Sequence, residues 1–191
     1  MAAGTEANDG PAGGCCQRAR DKERRVAGEM DMLWVALIFG CCVAVAGLSV
    51  MVVLSVISHR QPVAWAENPG ARLQSCPAQP NCVSSLTGEG RRAVAPFAYA
   101  GPPEEAWLRM REVVQSLGGR IQYEESGYLW ATFQTTVFRF VDDLELGLDE
   151  SLGLIHVRSA SRVGYSDLGA NAKRVDRLHA FWAEGQRGCC G

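Results

Sequence analysis

No excess of basic charge runs through this sequence. With a formal net charge of -2 and a pI near 5.9, it has no electrostatic footprint for nucleic acid, and none is expected as a partner. Metal-ligand spacing is missing too. The eight cysteines include no Cys-x-x-Cys, which argues against a zinc site and against a thioredoxin-like redox centre, so neither a metal nor another cofactor is expected. Histidine is scarce, at His59, His156 and His179 only. The first thirty or so residues have almost no large apolar side chain, so they cannot bury enough surface to offset the entropy of ordering.

Between Met32 and Ser58 charge is absent altogether, and the run reads Leu33, Trp34, Val35, Ala36, Leu37, Ile38, Phe39 and on through Leu54 and Ile57. A helix needs roughly 20 apolar residues to cross a hydrocarbon core about 30 Å thick, so this run can span a bilayer with some tilt. A cleaved signal is a weaker reading, because its apolar region is about 7–15 residues long and ends at small residues. Here the run follows a long polar head and ends in His59, Arg60, Gln61 and Pro62. Arg18, Arg20, Lys22, Arg24 and Arg25 precede the span, and only Arg60 and Arg72 follow closely. The positive-inside rule then places the N-terminus in the cytosol (or stroma or matrix) and the rest on the lumenal or periplasmic side. The expected organisation is a disordered head over 1–30, a transmembrane helix over 31–58, a linker with Pro62, Pro69 and Gly70 over 59–72, a domain over 73–185 and a short tail over 186–191. That leaves roughly 110–120 residues beyond the anchor, enough for one core.

Cys76 and Cys82 flank Pro77-Ala78-Gln79-Pro80-Asn81. The prolines fix φ and shorten the loop, which favours bringing the two thiols together. In an oxidising compartment a disulfide is the first expectation, ahead of two free thiols and of metal binding. Cys15–Cys16 are candidates for acylation, Cys41–Cys42 fall inside the span, and Cys189–Cys190 before Gly191 do not fit a prenylation box.

Strand and helix signals then alternate. Ala93 to Tyr99 is a short edge strand, and Pro102-Pro103-Glu104-Glu105 opens a helix that Gly118-Gly119 closes. Arg120 to Tyr123, Tyr128 to Thr135, Val137 to Leu148 and Leu154 to Ser161 read as strands. Leu168 to about Glu184 reads as a helix capped by Ser166 or Asp167, with Leu168, Val175, Leu178 and Trp182 as its apolar stripe and Lys173, Arg174 and Arg177 on a solvated face. The predicted fold class is α+β: a single transmembrane helix, then a small antiparallel sheet with two helices packed on one face.

Asp142 breaks the apolar alternation of Phe140, Leu144, Leu146 and Leu148. Matching inward faces places it opposite Ser159 or Ser161, with Arg158 or Arg162 as the charged partners available. Tyr165, Ser166, Asp167 and Asn171 extend this candidate polar centre, which either pins the strand–helix junction or forms a ligand pocket with Asp142 as base or anion partner. No catalytic residue is assigned. His156 alternates away from Ser159 and Ser161, which argues against a Ser–His–Asp triad.

Cys76-Pro77-x-x-Pro80-Asn81-Cys82-Val83-Ser84-Ser85, Tyr128-Leu129, Phe140-Val141-Asp142-Asp143 and the block Val157-Arg158-Ser159-Ala160-Ser161-Arg162-Val163-Gly164-Tyr165-Ser166-Asp167-Leu168-Gly169, with Asn171 and Arg174, resemble the family called domain of unknown function 1499. The resemblance covers about residues 73–182. It implies a membrane-tethered or exported protein and carries no assigned activity. Members commonly have a His before the Pro-Phe strand and an acid after Leu-x-Ala. Here Arg91 and Arg92, and Thr132, stand in those places, which argues against a catalytic role that needs them. The expected function is non-enzymatic: a ligand- or partner-binding module, or an accessory subunit with a membrane-protein partner. The alternative is a small hydrolase-like enzyme built on Asp142 and the Ser159–Asp167 loop.

Overall fold

The computed structural model describes residues 12–60, 73–86, 90 and 92–187. Of the linker expected over 59–72, His59 and Arg60 end the first helix, and the rest, with Pro62, Pro69 and Gly70, lies outside the described residues, as do Arg91, Cys189 and Cys190. So do the side chains of Cys15 and Cys16. The chain divides into two compact units, Met1–Val50 and Met51–Gly191.

Helix α1 runs Ala12–Arg60 and contains one stretch, Met32–Arg60, long and apolar enough to cross a membrane. None of its apolar window is buried, unlike the core helix of a soluble domain. Cys41 and Cys42 are free and exposed along it. The helix begins well inside the segment expected to lack order. The physical reason is cooperativity: once the apolar run has nucleated a helix, each added Ala, Arg, Lys or Glu needs only one residue fixed per hydrogen bond.

The second unit is a six-stranded antiparallel sheet with helices on one face, the α+β class expected. Its elements are β1 (Cys82–Ser84), β2 (Phe97–Ala98), α2 (Pro103–Ser116), β3 (Arg120–Glu125), β4 (Tyr128–Gln134), β5 (Val141–Asp149), β6 (Leu154–Ser161) and α3 (Ala170–Arg187). The order is β1-β6-β5-β4-β3, with β2 also pairing β6. Thus β1 pairs along Arg158–Ala160 and β2 along Leu154–Ile155, two short segments sharing one edge of β6. Leu129, Ala131, Leu144, Leu146, Ile155 and Val157 make the sheet's apolar face, covered by Met110 and Val114 of α2 and Val175, Leu178 and Trp182 of α3. The two helices are clasped where the Arg109 guanidinium stacks 3.8 Å over the Trp182 ring.

Several boundaries differ from the sequence reading: the strand expected over Ala93 to Tyr99 is only Phe97–Ala98, β1 forms at the end of the cysteine loop, and two more have a clear local cause. Val137 to Phe140 do not extend β5. Thr135 N–H donates to the Phe140 carbonyl at 3.0 Å and Arg139 N–H to the Thr135 carbonyl at 3.1 Å, closing a tight loop that requires a positive φ of 55° at Arg139. Leu168 does not open α3 either. Its φ is 52° and it is exposed, because Asp167 takes the orphan N–H groups of Gly169 and Asn171 at 3.0 and 2.7 Å and starts the helix later.

Candidate functional site

Asp142 pairs with Ser161 across β5 and β6, one of the two partners its position in the pattern requires. Its carboxylate is buried, and Arg174 Nη2 donates to Oδ2 at 2.5 Å. Arg174 Nη1 also reaches Ser159 Oγ at 2.9 Å and Asn171 Oδ1 at 2.6 Å. Ser159 Oγ in turn donates to Asn171 Oδ1 at 2.6 Å. The Asn171 amide donates to the Asn81 carbonyl, Ser161 Oγ and Asp167 Oδ2. Asn81 ties in the cysteine loop by donating to the Gly164 carbonyl at 2.8 Å. Under α3, then, charge meets charge and hydroxyl meets amide inside the fold, which is how a buried polar group avoids an unpaired desolvation cost.

Arg158 and Arg162 are not part of this cluster. Strand side chains alternate between faces, so these two point through the other side of the sheet. There Arg158 pairs with Glu145, and Arg162 grips Asp143 with Nε and Nη2, each at 2.8 Å. Trp130 Nε1–H donates to the same carboxylate at 2.8 Å. Tyr165 is exposed. Ser166 Oγ accepts the Leu168 N–H at 3.3 Å. The expected single centre is therefore two clusters on opposite faces plus two peripheral residues.

Arg174 is the residue the sequence reading misplaced, on a solvated face. The signal was available: Asn171, Arg174, Val175, Leu178 and Trp182 follow one helical stripe. The helix also has to give Asp142 a counter-charge, and Arg174 is half-buried, with its guanidinium 4.8 Å from the Phe133 ring centroid. His179 donates to the Ala95 carbonyl at 3.0 Å and stacks on Phe97.

The sheet's other face carries a cavity of about 830 Å³. Its walls come from Leu73, from the β3–β4 turn with Glu125 and Tyr128, and from the β5–β6 turn with Asp149 and Glu150, with His156 at one side. Leu73 seats against Gly147, where an added Cβ would meet its Cγ at 3.4 Å. Burial, reinforced by the charge of Glu145, pushes the Tyr128 hydroxyl well above its ordinary pKa, so it stays neutral. His156 Nδ1 lies 3.2 Å from Ser85 Oγ, a contact absent from the sequence reading because Ser85 sits on a different strand edge. Ser85 Oγ also accepts the Val157 N–H at 2.9 Å, which caps β6 in the gap between β1 and β2. Among the described residues no group of three or more His, Cys, Asp or Glu side chains converges as metal ligands.

Beside the first cluster, Cys76 and Cys82 are joined as a disulfide, closing the Pro-punctuated loop that leads into β1. A stapled α+β domain with a buried Asp–Arg network, behind a helix long enough to span a membrane, is the class these features define. The chain belongs to the family described as protein of unknown function (DUF1499), whose model matches residues 72–181. No curated protein matches the chain, and no solved structure does.

Proposed function

We propose that this protein is a membrane-anchored binding module: α1 spans the bilayer, the N-terminus is cytosolic (or stromal or matrix-side), and the domain works on the lumenal or periplasmic side without catalysing a reaction. The observation that carries this reading is the self-contained Asp142–Arg174–Ser159–Asn171 network. Its hydroxyl and carboxylate are spent on internal partners beneath α3, and Ser159 has no exposed surface, so this network presents neither nucleophile nor base to a substrate. The surplus of basic residues before the span supports the orientation.

Binding falls to the cavity on the opposite face. Glu125, Asp149 and Glu150 line it with Tyr123 and Tyr128, and among the described residues no Lys or Arg does. That chemistry suits a positively charged group, on a small ligand or on a partner in the same membrane assembly.

Extraction of the full-length chain in mild detergent, native-size separation and identification of co-migrating material test the reading. A reproducible partner, lost when Glu125→Gln and Asp149→Asn are combined, is the expected result. A lone chain that takes up neither partner nor cationic ligand overturns it. A hydrolase reading would rest on the Ser85–His156 contact, and covalent labelling of Ser85 by a fluorophosphonate would favour it.

A further inference from the structure

The two ends of the sheet differ in what they expose. At one end, the β4–β5 loop presents Val137, which is 78% exposed, and Phe138, with Arg139 between the phenylalanines. The loop that follows β6 leaves the same end, because Ser161 pairs with Asp142 at the start of β5. It presents Tyr165 and Leu168, 76% and 89% exposed. At the far end, about 27 Å away along the nine residues of β5, the turns carry Glu125, Asp149 and Glu150. Among the described residues, the large apolar side chains exposed there are Leu152 and, beside the cavity, Leu86.

The apolar end is also where the last turns of α1 dock, and residues from Met51 onward belong to the same compact unit as the sheet. Ser58 is fully buried. Its Oγ accepts the Val141 N–H at 3.2 Å, and its carbonyl accepts Arg162 Nη1 at 3.1 Å. A guanidinium is favoured at that terminus, where helix carbonyls lack partners. His59 Nδ1 donates to the Ser55 carbonyl at 2.9 Å, leaving Nε2 facing the Gln134 amide at 3.5 Å, one strand end from the exposed loop.

We propose that this end of the domain seats on the headgroup layer of the membrane that α1 crosses, with Val137, Phe138, Tyr165 and Leu168 entering the interface. The inference rests on the reading of α1 as a span. Continuity with the end of that helix places the loops beside the bilayer. Amphipathic and aromatic side chains are favoured at such an interface, and Arg139 and Arg60 complement anionic headgroups. The acidic turns then point away from a negatively charged surface. Exposed apolar side chains on two separate loops have a common occupant in lipid, and the left-handed backbone at Arg139 holds the tip of one of them outward.

The test uses full-length protein in phosphatidylcholine–phosphatidylglycerol vesicles with radiolabelled lipid. A benzophenone-bearing phenylalanine replaces Phe138, Leu168, Leu152 or Phe39 in turn. Phe138 and Leu168 should give lipid adducts several-fold above Leu152 and comparable to Phe39 inside the span. Adducts at Phe39 with only the Leu152 level at Phe138 and Leu168, or cross-links to a second copy in place of lipid, would overturn the proposal and leave the anchor standing. No adduct at Phe39 would overturn the anchor itself, and the proposal with it. Val137, on the same exposed loop, serves as a second position if the Phe138 replacement fails to accumulate.

Discussion

Asp142 and Arg174 meet at 2.5 Å although 32 residues separate them, and the sequence neighbour Asp143 takes a different arginine, Arg162, on the opposite face of the sheet. One strand thus carries two adjacent carboxylates into two separate environments. The first joins β5 to α3 through the core. The second joins β5 to the end of β6 and, through Arg162, to the last turn of α1.

Removing one member of a buried pair leaves the other desolvated and uncompensated, at a cost of about 3–5 kcal/mol. Arg174→Met should lower stability by about 3 kcal/mol, near the low end of that range, because its side chain keeps 13% exposure. Asp142→Asn should also destabilise, and the double change should lose less than the sum of the single ones. Thermal melts of the four proteins in detergent check this; strictly additive losses would mean the two side chains do not depend on each other.

Gly119 closes α2, where Gly118 takes a φ of 87°. A Cβ at Gly119 would lie 2.6 Å from Val114 Cγ1 and 2.8 Å from Phe133 Cζ. Gly119→Ala should therefore cost about 1–3 kcal/mol, because it crowds the Val114 and Phe133 side chains and the Val114 carbonyl oxygen together. Denaturant unfolding measures the loss, and a neutral result would show that the α2–β3 corner yields more easily than its packing implies.

The Cys76–Cys82 bridge closes a short loop of sequence separation 6, for which the chain-entropy argument gives about 2 kcal/mol. Reduction should lower the melting temperature without abolishing the sheet, since the core lies between the sheet and the two helices. Circular dichroism of reduced and oxidised protein, with alkylation to count thiols, provides the check.

Asp149 takes hydrogen bonds from Ser151 Oγ, Ser151 N–H and Leu152 N–H at 2.6, 3.0 and 3.1 Å. The Ser151 hydroxyl first, then the backbone N–H groups, hold its carboxyl below the ordinary value of 3.8. A depressed folded-state pKa stabilises the turn above the unfolded-state value and loses that contribution as pH falls through the folded one. The carboxyl carbon resonance of Asp149 should therefore titrate below that of an unstructured Asp. A midpoint at or above the ordinary value would contradict the turn geometry.

Much of this architecture was legible in the residues themselves. Period-two alternation marked β5 and β6, helical spacing marked α2 and α3, and the uncharged run marked the apolar part of α1, because each pattern follows from the repeat of its own element. Asp142 stood out as an acid on an apolar face, and strand register then confined its neighbour to Ser159 or Ser161. Helical spacing put Arg174 on the buried stripe of α3, but its pairing with Asp142 was not legible. The partner comes from an element whose distance and rotation depend on how α3 packs across the sheet, and only tertiary structure brings Arg174 over Phe133 and onto the carboxylate. The same holds for Arg158 and Arg162: spacing shows that they alternate with the serines, but the fold decides that Glu145 and Asp143 await them on the far side. The end of α1 docking at Ser58, with exposed loops beside it, is likewise a product of packing between segments far apart in the chain, and no local pattern encodes it.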